Sequence, residues 1–422
     1  MTAAQNTVTV RAFVRADQLS SLEAALGRTR LAVEAGTSAL GEVGRVHFCR
    51  FLVLPGTRMD TGDVQDSLMY QADVDGTAAD HLDRLADRAG PVLDDLFGWC
   101  VDYPGSPDKS SRRSWLAGHQ VRTAAHYVNT SGLGLDQILE EARLHDWLQA
   151  HLDAHRPDLA ELEPAALHGA LRAAVQADPG VQGSVRPPPA ASLSHRLREF
   201  AHAATVVGVV IIASPLLLVV GVPWILALRR LEKKDEPGTE RPERAAVERL
   251  RLEEDQFAYN PFAAMGELKP GRLRRATVNV VLRAIAFTTR HVFDKGDLAG
   301  VNTIHFARWV VLDDQRRVIF TSCYDGSLES YMDDFIDKLS WGLNIVFSNG
   351  AGYPRTRWLV LGGAKDEQAF KDYLRCHQLG NPVSWSAYPS LTTANILDNA
   401  EVRRGLSRNL GPDAARTWLA RL

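Results

Sequence analysis

Hydrophobic and polar positions follow two periods along this chain, and both periods recur. The stretch VHFCRFLVL, residues 46–54, and the stretch IHFARWVVL, residues 304–312, share His, Phe, Arg, Val and Leu at an offset of 258. β-Branched and aromatic residues dominate both, which predicts strands, and RVIFTSCY, residues 317–324, predicts a hairpin partner for the second. The period then changes. Leu328, Tyr331, Met332, Phe335, Ile336 and Leu339 fall at i, i+3, i+4, i+7, i+8 and i+11, with Asp333, Asp334, Asp337 and Lys338 off that stripe. This predicts an amphipathic helix over 327–346. Ser327 is its expected N-cap, with Asp325 near the positive end of the helix dipole.

The recurrence is wider than one strand. Asp75-Gly76 returns as Asp325-Gly326, an offset of 250, and residues 67–104 carry eight identities with their counterparts at that offset. ILEEA, residues 138–142, answers ILDNA, residues 396–400, back at the offset of 258. The step of eight falls in a turn, where PGTRMDTGDVQD is longer than DDQR. Ordered matches with an indel confined to a turn are the mark of an internal duplication. In the second copy the predicted elements are a strand over 262–269, a helix over 273–291, strands over 303–312 and 317–324, the helix over 327–346, a helix over 364–378 and a strand over 383–388. The first copy begins alike, with a strand over 8–14 and a helix over 17–30. The expected fold class is α+β: two ferredoxin-like βαββαβ repeats.

Between the copies stands an apolar run. From Ala203 to Leu228 no residue is charged, and none is His, Asn or Gln. About 20 such residues cross a hydrocarbon core. Trp224 near its end, followed by Arg229, Arg230, Lys233 and Lys234, has the composition of a membrane interface. If both copies share one sheet pair they lie on one side of a bilayer, so the run must enter and leave by the same face. Pro215 near the middle and Pro223 in the second half make a hairpin or monotopic insertion the first expectation and a single span the second. The expected organisation is therefore residues 1–154 as repeat 1, 155–202 as a helix and Pro-rich linker, 203–228 as the membrane segment, 229–260 as a charged linker and helix, and 261–422 as repeat 2.

Composition changes this picture little. The 422 residues carry a net charge of −3, so no bulk attraction to nucleic acid is expected. Cys49, Cys100, Cys323 and Cys376 form no CxxC or Cys/His cluster, so no metal site is expected, and their scarcity fits a reducing compartment. The N-terminus lacks the basic and apolar regions of a secretory signal. No GxSxG, HExxH, Walker or GxGxxG pattern stands in a usable context.

The residues that could line a pocket are the repeated polar ones: His47 and His305, Arg50 and Arg308, Asp75 and Asp325. A strand histidine can ligate haem or act as a base. The favoured reading is structural, because an active site seldom keeps one residue twice after duplication. Arg50 and Arg308 need carboxylates if half-buried, and Asp75 and Asp325, or the helix residues Asp83 and Asp333, are the candidates; an anion site is the alternative. Cys49 and Cys323 read as small core residues.

On its repeated βαββαβ order the chain resembles the dimeric α+β barrel superfamily, in which two such sheets face each other around a cavity. It is also similar to uncharacterised bacterial membrane-associated proteins carrying HFARW, DGS and YMDDFIDK-like strings. The resemblance covers residues 8–152 and 262–406. It implies an intramolecular barrel at the cytoplasmic (inner) membrane of a bacterium, with a small lipophilic ligand between the sheets and the bilayer as partner; oligomeric state stays open. Dye-decolourising peroxidases and chlorite dismutases share that superfamily and imply haem as cofactor. Only the DG of the peroxidase GxxDG pattern stands here, in ADVDG and SCYDG, so a haem-dependent oxidoreductase is the runner-up. A membrane scaffold without small ligand is the third reading.

Overall fold

The computed structural model of the protein describes residues 5–59, 62–105, 108–187, 193–293 and 296–422. Residues 188–192 of the Pro-rich linker lie outside the described residues. The fold is mixed α and β, built on two four-stranded antiparallel sheets. The main strands are β1 (Gln5–Phe13), β2 (Val46–Leu54), β3 (Ser67–Asp75), β4 (Thr123–Val128), β5 (Tyr259–Glu267), β6 (Ile304–Leu312), β7 (Arg317–Asp325) and β8 (Val383–Ser386).

Strand order in the first sheet is β1-β3-β2-β8, and in the second β4-β6-β7-β5. The fourth strand of each half thus completes the other half's sheet. Just before β4, Val121 N–H donates to Thr9 O of β1; β4 then pairs antiparallel with β6. Likewise Leu379 N–H donates to Ala263 O of β5, and β8 then pairs antiparallel with β2. Both halves therefore share backbone ladders.

Each sheet buries one face under its own helices. In the first half α1 (Leu19–Glu34), α2 (Ala78–Arg88) and α3 (Gly90–Phe97) cover Val8, Val10, Phe51, Tyr70 and Val74. In the second half α6 (Arg272–His291) and α7 (Leu328–Phe347) cover Phe262, Trp309, Phe320 and Tyr324. Ser327 caps α7 through a bond from Ser330 N–H, as its sequence predicts. Gly76 and Gly326 hold φ of 100° and 81°, the left-handed turn that lets strand pass into helix.

Two further helices follow the swapped strands: α4 (Leu135–Ala154) after β4 and α8 (Thr393–Leu406) after β8. Together with the helices Pro164–Ala177 and Pro412–Leu419 they close a separate apolar cluster around Leu144, Leu148, Leu171, Val402 and Trp418. The helix expected within 155–202 is thus Pro164–Ala177, packed against the C-terminal helix.

The apolar run forms one helix, α5 (Leu193–Glu232), 40 residues long with Pro215 and Pro223 inside it. The expected fold-back at Pro215 does not occur. Each proline removes one N–H from the ladder, and the flanking turns keep their bonds. This is one helix long and apolar enough to cross a membrane, and its apolar window is unburied. Both ends of the run touch α6. Near the start, Arg290 donates to Glu199 at 2.7 and 2.8 Å and His202 meets His291 at 2.8 Å; near the end, Trp224 Nε1 donates to Thr277 Oγ1 at 2.9 Å.

Candidate functional site

The two sheets turn their remaining faces toward each other, and all six repeated polar residues lie there, five of them buried and Asp325 half-buried. A β-bulge at His47 and another at His305 interrupt strict alternation. Each bulge brings its histidine to the inter-sheet side beside the following phenylalanine. His47 Nε2 donates to Asp75 Oδ1 at 3.0 Å and its Nδ1 accepts from Tyr388 at 2.9 Å. A carboxylate only accepts, which assigns the protonated nitrogen. His305 Nε2 donates to Asp325 Oδ1 at 2.7 Å. The second carboxylate oxygens hold helix starts: Asp75 accepts from Leu135 N–H at 2.6 Å, and Asp325 from Thr393 N–H at 2.8 Å. Each aspartate therefore ties a bulged histidine to the N-terminus of the helix after a swapped strand, where the helix dipole favours negative charge.

The arginines pair differently from expectation. Arg308 crosses to the first half, donating to Val8 O at 3.1 Å and forming an ion pair with Asp73. Arg50 crosses to the second half, donating to Phe262 O, Ser322 O and Cys323 Sγ, each at 2.8 Å. Asp75 and Asp325 are taken by the histidines. Asp83 faces Lys109 and Arg113, and Asp333 faces Lys371, all on the surface. Burial pushes the Asp73 carboxyl up, but Arg308 and a bond from His126 draw it below the ordinary carboxylate range. Thr321 donates to Gln71 at 2.8 Å between the sheets. Phe48 and Phe306 meet edge-on at 5.7 Å, with Tyr388 against Phe48 at 5.2 Å.

These side chains do not fit a haem. His47 is fully buried with both ring nitrogens bonded. The flat volume a porphyrin needs is taken by Phe48, Phe306 and Tyr388, which pack on one another. Among the described residues no group of three or more His, Cys, Asp or Glu side chains is placed to hold a metal.

Open volume lies elsewhere, inside the second half. An apolar cavity of about 350 Å³ sits between α6, α7 and the sheet. Ala284, Ile285 and Thr288 of α6 form one wall, Phe335 and Trp341 of α7 the other, and Trp309 the floor. This size falls within the roughly 300–1,000 Å³ of ligand pockets. The Trp309 indole N–H is buried with no hydrogen-bond partner among the described residues. Trp341 is 56% exposed at the cavity's edge.

The first half closes the same space. Pro91 stands at the start of α3 and breaks the helix after Ala89. The chain then turns Leu93, Leu96 and Phe97 inward, all fully buried. In the second half α7 runs 20 residues without a break, and Trp341, Leu343 and Val346 of its last turns line the cavity opposite Ala284 and Ile285 of α6. The cavity residues escape sequence reasoning because Phe335 and Leu339 lie on the stripe that reads as core. The signal that marks them is Trp341, a large apolar residue off that stripe.

A second cavity, of about 520 Å³ and mixed lining, has Glu240, Glu267, Arg317, Cys376 and His377 among its walls. Burial raises the Cys376 thiol above its ordinary value, with Glu240 and Asp372 adding to the effect. This cysteine is therefore protonated at neutral pH and a poor nucleophile.

Comparison with known proteins finds no family model, no curated protein and no solved structure that matches this chain.

Proposed function

We propose that this protein is a membrane-attached binder of a small lipophilic molecule, held in the cavity between α6 and α7. The observation that carries the reading is position. A 350 Å³ cavity with almost no polar lining abuts α6, the helix on which the 40-residue apolar helix rests. A ligand leaving a bilayer for that cavity would remain in apolar surroundings throughout.

In this reading the halves are duplicated ferredoxin-like repeats forming an intramolecular barrel-like pair with exchanged fourth strands. The common strand order, the bulges at His47 and His305 and the paired aspartate ties support it. Attachment is monotopic, because both ends of the apolar run bond to one helix of one half. The location is the cytoplasmic face of a bacterial inner membrane, with the lipid bilayer as partner. The inter-sheet space, the first expectation for the pocket, is occupied by the protein's own side chains. That filling favours one other reading, in which the paired sheets are a rigid scaffold for the membrane elements.

The test is mass spectrometry of organic extracts from protein purified in mild detergent, comparing wild type with Ala284→Phe/Gly342→Leu. Gly342→Leu removes a helix-interior glycine, so the fold is expected to hold. A lipophilic compound carried by wild type and lost from the variant, at equal far-UV dichroism, is the expected result. A wild type that carries nothing, and takes up no added quinone, fatty acid or isoprenoid, would leave the scaffold reading.

A further inference from the structure

We infer that the hairpin around Trp358 and Leu361 is a second membrane contact, which seats the C-terminal end of α5 at the headgroup level of an anionic bilayer; this rests on the proposed membrane attachment. Short strands Thr356–Arg357 and Leu361–Gly362 pair to form the hairpin. Its tip leaves Trp358 46% and Leu361 43% exposed. Nothing in the core accounts for such residues at a loop tip.

The tip is held open by the membrane helix itself. Glu232, the last residue of α5, is buried. Its carboxylate accepts from Trp358 N–H at 3.0 Å, Leu359 N–H at 2.8 Å and Thr356 Oγ1 at 2.6 Å. Trp358 and Leu359 both adopt φ of 60°, a left-handed conformation that costs a non-glycine residue energy. Successive N–H groups in that conformation converge on one acceptor, as in an anion-binding nest. Here the anion is the end of the apolar helix. Arg229 also pairs with Glu232, and its guanidinium lies 5.4 Å from the Trp358 ring centroid. The loop is thus built to project two apolar side chains from a fixed point, four residues beyond Leu228, where the uncharged run ends.

Charge around the tip selects the partner. Arg230, Lys233 and Lys234 are exposed on the helix side, and Arg355, Arg357 and Lys365 on the hairpin side; Glu236, Asp366 and Glu367 are the exposed acids beside them. A tryptophan among basic residues at the end of an apolar helix is the composition of a headgroup interface. Each cation near an anionic surface adds to the attraction. The occupant that matches both the apolar tip and the basic rim is the phosphate-rich boundary of an anionic bilayer.

The experiment uses the full chain with Cys376→Ser, which removes the exposed thiol and leaves the three buried ones. Leu361→Cys and, separately, Ile212→Cys carry an environment-sensitive nitrobenzoxadiazole label. Each is mixed with vesicles of phosphatidylcholine containing phosphatidylglycerol. The expected result is a blue shift and rise in emission from both labels. A response at 212 with none at 361 overturns the hairpin contact and leaves membrane attachment standing. Silence at both sites removes attachment, and this proposal with it. Vesicles of phosphatidylcholine alone are expected to give a smaller response at 361; an equal response overturns the anionic assignment. In a Glu232→Gln background the 361 label is expected to lose its shift while the 212 label keeps it. Retention of both overturns the role of Glu232 as the pin.

Discussion

Arg50 Nη2 stands 2.8 Å from the sulfur of Cys323, at the place where its counterpart Arg308 meets a carboxylate. Burial pushes the Cys323 thiol up to about 11 despite the arginine beside it, so the sulfur stays neutral. The buried cluster therefore holds two guanidinium groups and one carboxylate, that of Asp73. Removing the anion and adding a second one should act in opposite directions. Asp73→Asn is expected to lower unfolding free energy by about 3–5 kcal/mol, because it leaves the buried Arg308 without its carboxylate. Cys323→Asp is expected to raise it by about 1–3 kcal/mol through charged hydrogen bonds to Arg50. Urea unfolding of the purified protein checks both, and a destabilising Cys323→Asp would show that the carbonyl partners of Arg50 already suffice.

His81 controls an acid limb of stability. Its Nε2 meets the Tyr70 hydroxyl at 2.9 Å in the packed core of the first half. Burial lowers its pKa from the usual 6.5 to about 3. The unfolded chain takes up a proton near pH 6.5 that the folded chain refuses, so stability is complete above that value and falls as pH drops below it. Between pH 7.5 and pH 5 the loss is about 2 kcal/mol. His81→Phe should flatten that limb, and denaturant midpoints at the two pH values measure it. Asp73 adds a separate loss at lower pH. Its carboxyl is held below the ordinary value, so its contribution is present above about pH 4 and disappears as pH falls through the folded value.

Asp325 and His305 are bonded to each other, yet their loss should differ. His305→Ala removes one donor and leaves Asp325 bonded to the start of α8, through Thr393 N–H and Oγ1. Asp325→Ala frees the histidine and the helix start together. The expected costs are about 1–3 kcal/mol for the histidine and about 2–4 kcal/mol for the aspartate. Thermal and urea unfolding should rank them in that order; the reverse order would mean that the histidine, and not the carboxylate, anchors α8.

Trp309 gives a prediction with two readouts. Its indole N–H is buried and unpartnered, and Phe51 occupies the matching strand position in the first half. Trp309→Phe removes an unsatisfied donor, so the empty protein should be as stable as wild type or more so, within about 1 kcal/mol. Retention of a ligand that accepts from this N–H should fall in the same variant. Unfolding after delipidation and ligand recovery by mass spectrometry separate the two effects.

Element positions were largely legible. The helix expected over 327–346 is Leu328–Phe347, and that over 273–291 is Arg272–His291. Period and capping residues decide such segments locally. Gln71 and Asp73 of β3 alternate with Tyr70, Ala72 and Val74, a signal in the sequence that the repeated residues alone do not pick out. The partners of that polar face were not legible. Whether Arg308 meets Asp73 or Asp325 depends on which edge each fourth strand joins, and TAAHYV and VSWS carry no mark of their destination. The helix through Pro215 escaped for another reason. Proline is a breaker in water, where the backbone has solvent as an alternative partner. In the bilayer proposed for α5 the backbone has no such alternative, which favours a helix that continues across the gap. The cavity escaped because volume depends on how far α7 stands from α6, and side-chain type alone does not encode that distance.

The exchanged strands also set an order of events during synthesis. When residue 254 has left the ribosome, the first sheet has three strands, an open β2 edge, and a β4 whose partner does not yet exist. The apolar helix emerges in that interval. Only when residues 383–386 arrive can the first sheet gain its last strand, so the N-terminal half completes its fold after most of the C-terminal half has been made. A nascent chain with a bare edge and an unshielded apolar segment is prone to aggregate. Early capture of α5 by a bilayer would hold the first half in place while it waits for its final strand.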